Sequence, residues 1–201
     1  RRPILVFFSS CSVYGEAGSD KVMSEDSPAR PKGWYASGKL AAEELIRLYE
    51  RRRGVSALIL RVTNPYGFSQ IMSSPQGIIP ALLRAAKERT DFPLWGSREA
   101  SKDYLHINDV CNALVLLMQR RRTGVYNVAS GEPVSTANLI QCIEKALGTE
   151  IRVRDEPKRE WDVTSGHYSN MALTNATGWF PQVSLRDGIR RLIKNDLKAD
   201  R

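Results

Sequence analysis

The chain is poor in the residues that build covalent or metallic scaffolds. Its three cysteines, Cys11, Cys111 and Cys142, are odd in number, far apart and without a Cys-x-x-Cys pair. That pattern excludes a disulfide framework and a thiolate metal site, and a reducing, cytoplasmic location is expected. Of the two histidines, His167 has no clustered partner and His106 sits in an alternating strand pattern that points to a structural role, so no metal is expected. No run of apolar residues approaches the ~18 needed to cross a bilayer, which excludes a membrane helix. The opening run Ile4-Leu5-Val6-Phe7-Phe8 is too short for a signal peptide, has no small-residue cleavage site after it, and reads as a strand. Internal repeats and low-complexity tracts are also absent. Acidic residues are the minority, 22 against 30 basic, for a net charge of +8. This balance suits an anionic partner, whether nucleic acid, acidic lipid or a phosphate-bearing small molecule, and does not choose among them. The arginine triplets Arg51–Arg53 and Arg120–Arg122 each close an expected helix, where cations complement the negative end of the dipole; a binding patch is the alternative reading.

What remains is an ordinary globular composition: 201 residues, 42% apolar and 26% charged, enough for one domain or slightly more. Residues 3–9 and 56–63 are near-continuous apolar runs, and between them residues 37–53 carry Leu40, Leu45, Ile46, Leu48 and Tyr49 at helical spacing. Strand, crossover helix and strand make a βαβ unit, and strands apolar on both sides belong to a sheet covered on both faces. The expected fold class is α/β. A third strand is expected at 124–129 after a helix over 109–119 that Asp109 would cap. Beyond the Asn64-Pro65-Tyr66-Gly67 turn the elements shorten, with helices near 77–89, 136–147, 170–177 and 185–195 and strands near 93–95 and 102–106. This smaller mixed region lies over the strand ends, where open parallel sheets bind their ligands.

Chemistry concentrates in Tyr35 and Lys39, four residues apart and therefore on one face of a helix. A cation held beside a phenol favours the phenolate, turning a group whose ordinary pKa is about 10 into a base usable near neutrality. Ser10, at the end of the first strand, completes a set able to move a proton on and off a substrate hydroxyl. A lone Tyr-x-x-x-Lys is weak; its place at the start of a crossover helix, after a strand ending in hydroxyl residues, strengthens it.

Seven segments in order carry a family resemblance: Ser9-Ser10-Cys11-Ser12-Val13-Tyr14-Gly15, Tyr35-Ala36-Ser37-Gly38-Lys39, Leu60-Arg61-Val62-Thr63-Asn64-Pro65-Tyr66-Gly67, Lys102-Asp103-Tyr104-Leu105-His106-Ile107-Asn108-Asp109, Tyr126-Asn127-Val128-Ala129-Ser130-Gly131, Arg159-Glu160-Trp161-Asp162 and Thr177-Gly178-Trp179-Phe180-Pro181. The chain resembles the extended short-chain dehydrogenase/reductase family, in particular the NAD-dependent nucleotide-sugar epimerases and dehydratases similar to UDP-galactose 4-epimerase. The resemblance implies an incomplete Rossmann-type parallel sheet with a smaller mixed α/β substrate-binding region. Residues 1–66, with a returning strand and helix near 107–129, would belong to the dinucleotide domain, and 67–201 mainly to the nucleotide-sugar region. It further implies Tyr35 as acid/base, Lys39 on the nicotinamide ribose, and Ser10 on the sugar hydroxyl. Asn64, Lys102 and Arg159 would bind the nucleotide-diphosphate sugar, Arg159 as a diphosphate clamp oriented by Asp162. A packing tyrosine, a strand-end serine, a turn-shaping asparagine and a solvated arginine are the plain structural alternatives.

Two departures shape the expectation. The family's Gly-x-x-Gly-x-x-Gly segment is absent, as though the first four strands were missing, so association with a missing N-terminal half, or a homodimer, is expected, together with weak affinity for the cofactor NAD (NADP is left open). Cys11 and Ser12 stand where dehydratases carry Asp-Glu, which favours epimerisation, at C4, over water elimination. A keto-sugar reductase and a truncated non-catalytic binding protein are the alternatives. Neither a membrane nor nucleic acid is the expected partner.

Overall fold

Ser56–Val62 is apolar at nearly every position because it forms the centre of a parallel sheet, buried on both faces. The computed structural model describes residues 3–16, 18, 21–67, 77–159, 163 and 165–199. In chain order its elements are β1 (Ile4–Ser10), α1 (Trp34–Arg53), β2 (Ser56–Val62), β3 (Asn64–Tyr66), α2 (Ile78–Glu88), β4 (Phe92–Trp95), β5 (Ser101–His106), α3 (Ile107–Gln119), β6 (Gly124–Val128), β7 (Pro133–Ser135), α4 (Thr136–Leu147), β8 (Val153–Glu156), α5 (Met171–Thr177) and α6 (Leu185–Ala199), with a 3-10 turn at Cys11–Tyr14 directly after β1. Among the described residues no helix is long and apolar enough to cross a membrane.

The main sheet has the order β1-β2-β6, all parallel, with Ser10 opposite Val62 and Val62 opposite Val128. Alternation along β2 sorts its side chains. Leu58, Leu60 and Val62 point into a core with Val110, Ala113 and Leu117 of α3, Leu173 and Trp179, while Arg61, of the opposite parity, meets α1. Each fully buried leucine there stabilises the fold by roughly 1.5–3 kcal/mol. Helix α1 starts three residues before the expected position 37, after Gly33 in extended conformation, and stops at Gly54, whose left-handed backbone (φ 62°) closes its last turn beside Arg51–Arg53.

The smaller region holds the strand order β3-β5-β7 and the parallel pair β4-β8. Its core gathers Ile79, Leu82 and Leu83 of α2, Leu139, Ile140 and Ile143 of α4, and Ile189 and Leu192 of α6. Three strands here differ from the sequence expectation. Asn64-Pro65-Tyr66 is a strand rather than a turn, at the edge where proline is tolerated, and β7 and β8 have no counterpart among the expected elements. Each is three or four residues long, too short to imprint a period. The expected cap of α3 is also corrected. The helix begins at Ile107, and His106 caps it by accepting a hydrogen bond at Nδ1 from the Asn108 N–H at 3.2 Å. Burial pushes His106 below its ordinary pKa, which suits a neutral acceptor. Asp109 is buried instead, its carboxylate accepting the backbone N–H groups of Gln182 and Val183 at 3.1 and 3.0 Å and so fastening the approach to α6.

Candidate active site

The carboxyl ends of β1 and β2, and the amino end of α1, converge on one side of the main sheet. Ser10 is the last residue of β1 and Tyr35 the second of α1. Lys39 lies one turn further, and its Nζ donates to the Phe8 carbonyl at 2.8 Å while standing 5.6 Å from the centre of the Tyr35 ring and 5.1 Å from that of Phe7. The ammonium is thus pinned between strand and tyrosine. Ser10 Oγ accepts hydrogen bonds from the Ser12 N–H at 3.2 Å and the Ser12 hydroxyl at 2.9 Å.

Tyr35, 65% exposed, lines an open cleft of about 980 Å³ together with Lys32, Trp34 and Ser37. Ser10, Asn64 and Lys102 line a neighbouring cavity of about 220 Å³, and Ser12 and Val163 line both. Asn64 and Lys102 continue into a third space of about 140 Å³, and Lys102 into a fourth of about 60 Å³ beside Trp95 and Lys158. Ser10, Tyr35, Asn64 and Lys102 therefore line neighbouring cavities that share residues, with Tyr35 and Ser10 in adjacent ones rather than the same one. Arg159 lines none of these cavities; its guanidinium lies 4.1 Å from the centre of the Trp95 ring, which borders the fourth. Asn64 donates from Nδ2 to the Asp103 carbonyl at 2.7 Å, so it also holds β3 against β5. Asp162 lies outside the described residues, as do positions 68–76.

Beneath this surface lies a buried polar network that the sequence reading did not find. Glu43, one turn beyond Lys39 on the same face of α1, is fully buried, as is Arg61 of β2. Arg61 reaches it through two bonds, Nε to Oε1 at 3.1 Å and Nη2 to Oε2 at 2.7 Å, and the Ser9 hydroxyl donates to Glu43 Oε1 at 2.5 Å. One carboxylate so ties α1 to both β1 and β2. Burial disfavours the Arg61 charge, yet the bonds to Glu43 hold its guanidinium above the ordinary range. Arg61 also lies 4.8 Å from the Tyr14 ring, and the Tyr14 hydroxyl, pushed up to about 12 by burial, donates to Asn127 Oδ1 at 2.6 Å. The Cys11 thiol donates to the Arg61 carbonyl at 3.1 Å, and burial holds it in the neutral form, which removes it as a nucleophile. The readable signal was a charged residue inside an otherwise apolar strand, and a glutamate spaced four from Lys39 and eight from Tyr35.

The 3-10 turn after Ser10 ends at Gly15, whose backbone (φ 72°, ψ −139°) is open essentially to glycine alone. A Cβ there would sit 2.0 Å from the Arg30 carbonyl oxygen. Gly15→Ala is therefore expected to cost about 1–3 kcal/mol from backbone conformation alone, read as a lowered urea midpoint, with further loss from the clash.

Likenesses to known proteins bear on this arrangement. The sequence profile of the NAD dependent epimerase/dehydratase family matches residues 1–129. The chain is 29% identical over 193 residues to dTDP-4-dehydro-6-deoxyglucose reductase of Escherichia coli, covering 95% of this chain and 60% of that protein. Among solved structures it matches MoeE5 in complex with UDP-glucuronic acid and NAD at 30% identity and TM-score 0.90, covering 98% of this chain and 65% of that one. It matches the UDP-glucose 4-epimerase of Thermus thermophilus in complex with NAD at 28% and 0.88, covering 98% and 64%. The chain thus spans about three fifths of the length of the curated relatives it matches.

Proposed function

Because the chain belongs to the NAD dependent epimerase/dehydratase family, we propose that it serves the NAD-dependent epimerisation of a nucleotide-diphosphate sugar, at C4 and through a transient 4-keto sugar. The observation that carries this reading is Lys39 held by the Phe8 carbonyl within 5.6 Å of the ring of Tyr35, which lines a cleft that shares Ser12 with the cavity of Ser10. Tyr35 takes the proton of the sugar hydroxyl and returns it after the keto sugar has turned its other face. Ser10 hydrogen-bonds the reacting oxygen. Asn64 and Lys102 bind the nucleotide portion along the continuing cavities, and Arg159 serves the diphosphate with its planar, two-pronged guanidinium.

The donors present suit the nicotinamide end of NAD. An ammonium has three hydrogens, and the one donated to Phe8 leaves two of Lys39 for ribose hydroxyls. When bound, NAD supplies the acceptor and donor of hydride. The sequence contains no Gly-x-x-Gly-x-x-Gly cradle, so only the ribose contact is assigned to this chain. We divide the chain accordingly into residues 1–66 with 107–129 on the cofactor side and the remainder of 67–201 on the sugar side. Edge strand β1, with Leu5 and Phe8 exposed, and the outward Leu45, Leu48 and Tyr49 of α1 are the surfaces on which a second copy or a glycine-rich polypeptide would pack. The location fitting this chemistry is the cytoplasm.

A second reading, reduction of a keto sugar, is favoured by the likeness to the Escherichia coli reductase. The test is incubation with UDP-galactose and NAD, with and without a glycine-rich N-terminal half from a relative. Interconversion of the 4-epimers with no net consumption of cofactor is expected. Stoichiometric oxidation of NADH or NADPH on a keto-sugar nucleotide would replace epimerase with reductase, and inertness in every arm would leave a binding protein.

A further inference from the structure

We propose that Ser12 is a positioning residue that fixes the polarity of Ser10, making it a hydrogen-bond donor alone toward the sugar. The proposal rests on the nucleotide-sugar reading above and deepens it. A serine hydroxyl has one hydrogen to give and two lone pairs to receive. Both lone pairs of Ser10 are engaged by one neighbour, the Ser12 N–H at 3.2 Å and the Ser12 Oγ–H at 2.9 Å. What Ser10 still offers to the 220 Å³ cavity it lines is its own hydrogen. Ser12 lines that cavity and the Tyr35 cleft, so the pair stands at the junction of the two.

The consequence is chemical. A donor-only hydroxyl recognises an accepting oxygen, the carbonyl of a keto sugar or the oxyanion formed as a hydroxyl loses its proton, and stabilises it where charge develops. It does not receive the sugar's proton and hand it on. The proton of the sugar hydroxyl therefore passes straight to the Tyr35 oxygen, and Ser10 keeps its own throughout. The backbone half of this arrangement survives any substitution at Ser12, because Ser10 caps the 3-10 turn through the Ser12 N–H. Only the side-chain half is removable, so the polarity is open to a clean test.

The experiment measures binding by calorimetry, with no turnover needed. The probes are dTDP-4-dehydro-6-deoxyglucose, which has a keto oxygen at C4, and dTDP-6-deoxyglucose, which has a hydroxyl there, with the uridine-linked pair in parallel. Ser12→Ala frees one lone pair of Ser10, which a hydroxyl can use and a ketone cannot. It should shift the ratio of the two dissociation constants about fivefold toward the hydroxyl sugar, the effect of one neutral hydrogen bond. Ser12→Thr, which keeps the hydroxyl, should hold the ratio within about twofold of wild type by the same measure. Ser10→Ala should lose affinity for the keto sugar. An equal ratio in wild type and Ser12→Ala overturns the proposal while the functional reading stands, and so does a shift toward the ketone, which would mean that Ser10 donates to Ser12 and accepts from the sugar. Failure of both nucleotide pairs to bind wild type overturns the functional reading, and this inference with it. A structural role for Ser12 alone would weaken both sugars alike and leave the ratio unmoved.

Discussion

Replacing Tyr35 with phenylalanine is expected to lower nucleotide-sugar turnover by about 10²–10⁴-fold, the usual worth of a positioned acid/base, with the fold unchanged. The substitution removes a single oxygen from a side chain that is 65% exposed. It keeps the ring that Lys39 approaches at 5.6 Å, and stability should stay within about 0.5 kcal/mol of wild type. Steady-state rates on UDP-galactose, beside calorimetric binding of the same sugar and a urea melt, separate the outcomes. Lost turnover with retained binding and stability assigns the proton transfer to the Tyr35 hydroxyl. Equal turnover would place the base elsewhere and remove the central element of the proposed mechanism. Loss of binding and stability together would make Tyr35 a packing residue, the alternative that its position at the start of a helix allows.

The second large effect is on stability. Glu43→Ala should cost about 3–5 kcal/mol, because it leaves the Arg61 guanidinium buried without its counter-charge. That is a large share of the roughly 5–15 kcal/mol typical of a domain. The loss is deeper than an ion pair, since the same carboxylate accepts from Ser9 at 2.5 Å and both of its oxygens are bonded by Arg61. Arg61 Nη1 has no hydrogen-bond partner among the described residues, so the network already carries one unmet donor and has little slack. A double substitution, Glu43→Leu with Arg61→Met, removes both charges and should recover most of the loss. A urea-unfolding cycle over the wild type, Glu43→Leu, Arg61→Met and the double variant reads the coupling. Additive losses would refute it, because residues bound to one another should couple by about 0.5–3 kcal/mol.

These two results belong together through helix geometry. Tyr35, Lys39 and Glu43 follow one another at four-residue intervals, which puts them on one face of α1. Glu43 anchors that face to Ser9, the residue before Ser10, and to Arg61. The rotation that buries the carboxylate is also the one that brings the lysine to the Phe8 carbonyl and the tyrosine to the cleft. Strand and helix are registered to each other by a fully buried side chain.

Much of this was legible beforehand. The βαβ unit announced itself through the apolar runs of β1 and β2, since burial on both faces leaves few positions for polar residues. The shared helix face of Tyr35 and Lys39 and the strand-end position of Ser10 were readable because spacing along one chain fixes both. Asp109 shows where such reasoning stops. An acidic residue near a helix start reads as a cap, yet His106 takes that place and Asp109 turns inward to the backbone of Gln182 and Val183, more than 70 residues away. The strands β3, β7 and β8 escaped notice for a related reason, because a three- or four-residue strand exists only through its partner.

The amino-acid order by itself determined the class of fold, the crossover helix and the placing of Tyr35 and Lys39 on one face of it, because periodicity and spacing are local properties of a chain. Only the tertiary structure decided that Arg61 would pair with Glu43, that Ser12 would engage Ser10 from both its nitrogen and its oxygen, and that Ser12 would line both the Tyr35 cleft and the Ser10 cavity. Those outcomes depend on where water is excluded. A buried carboxylate must find donors and a hydroxyl must satisfy its lone pairs, but which neighbours answer is settled by packing.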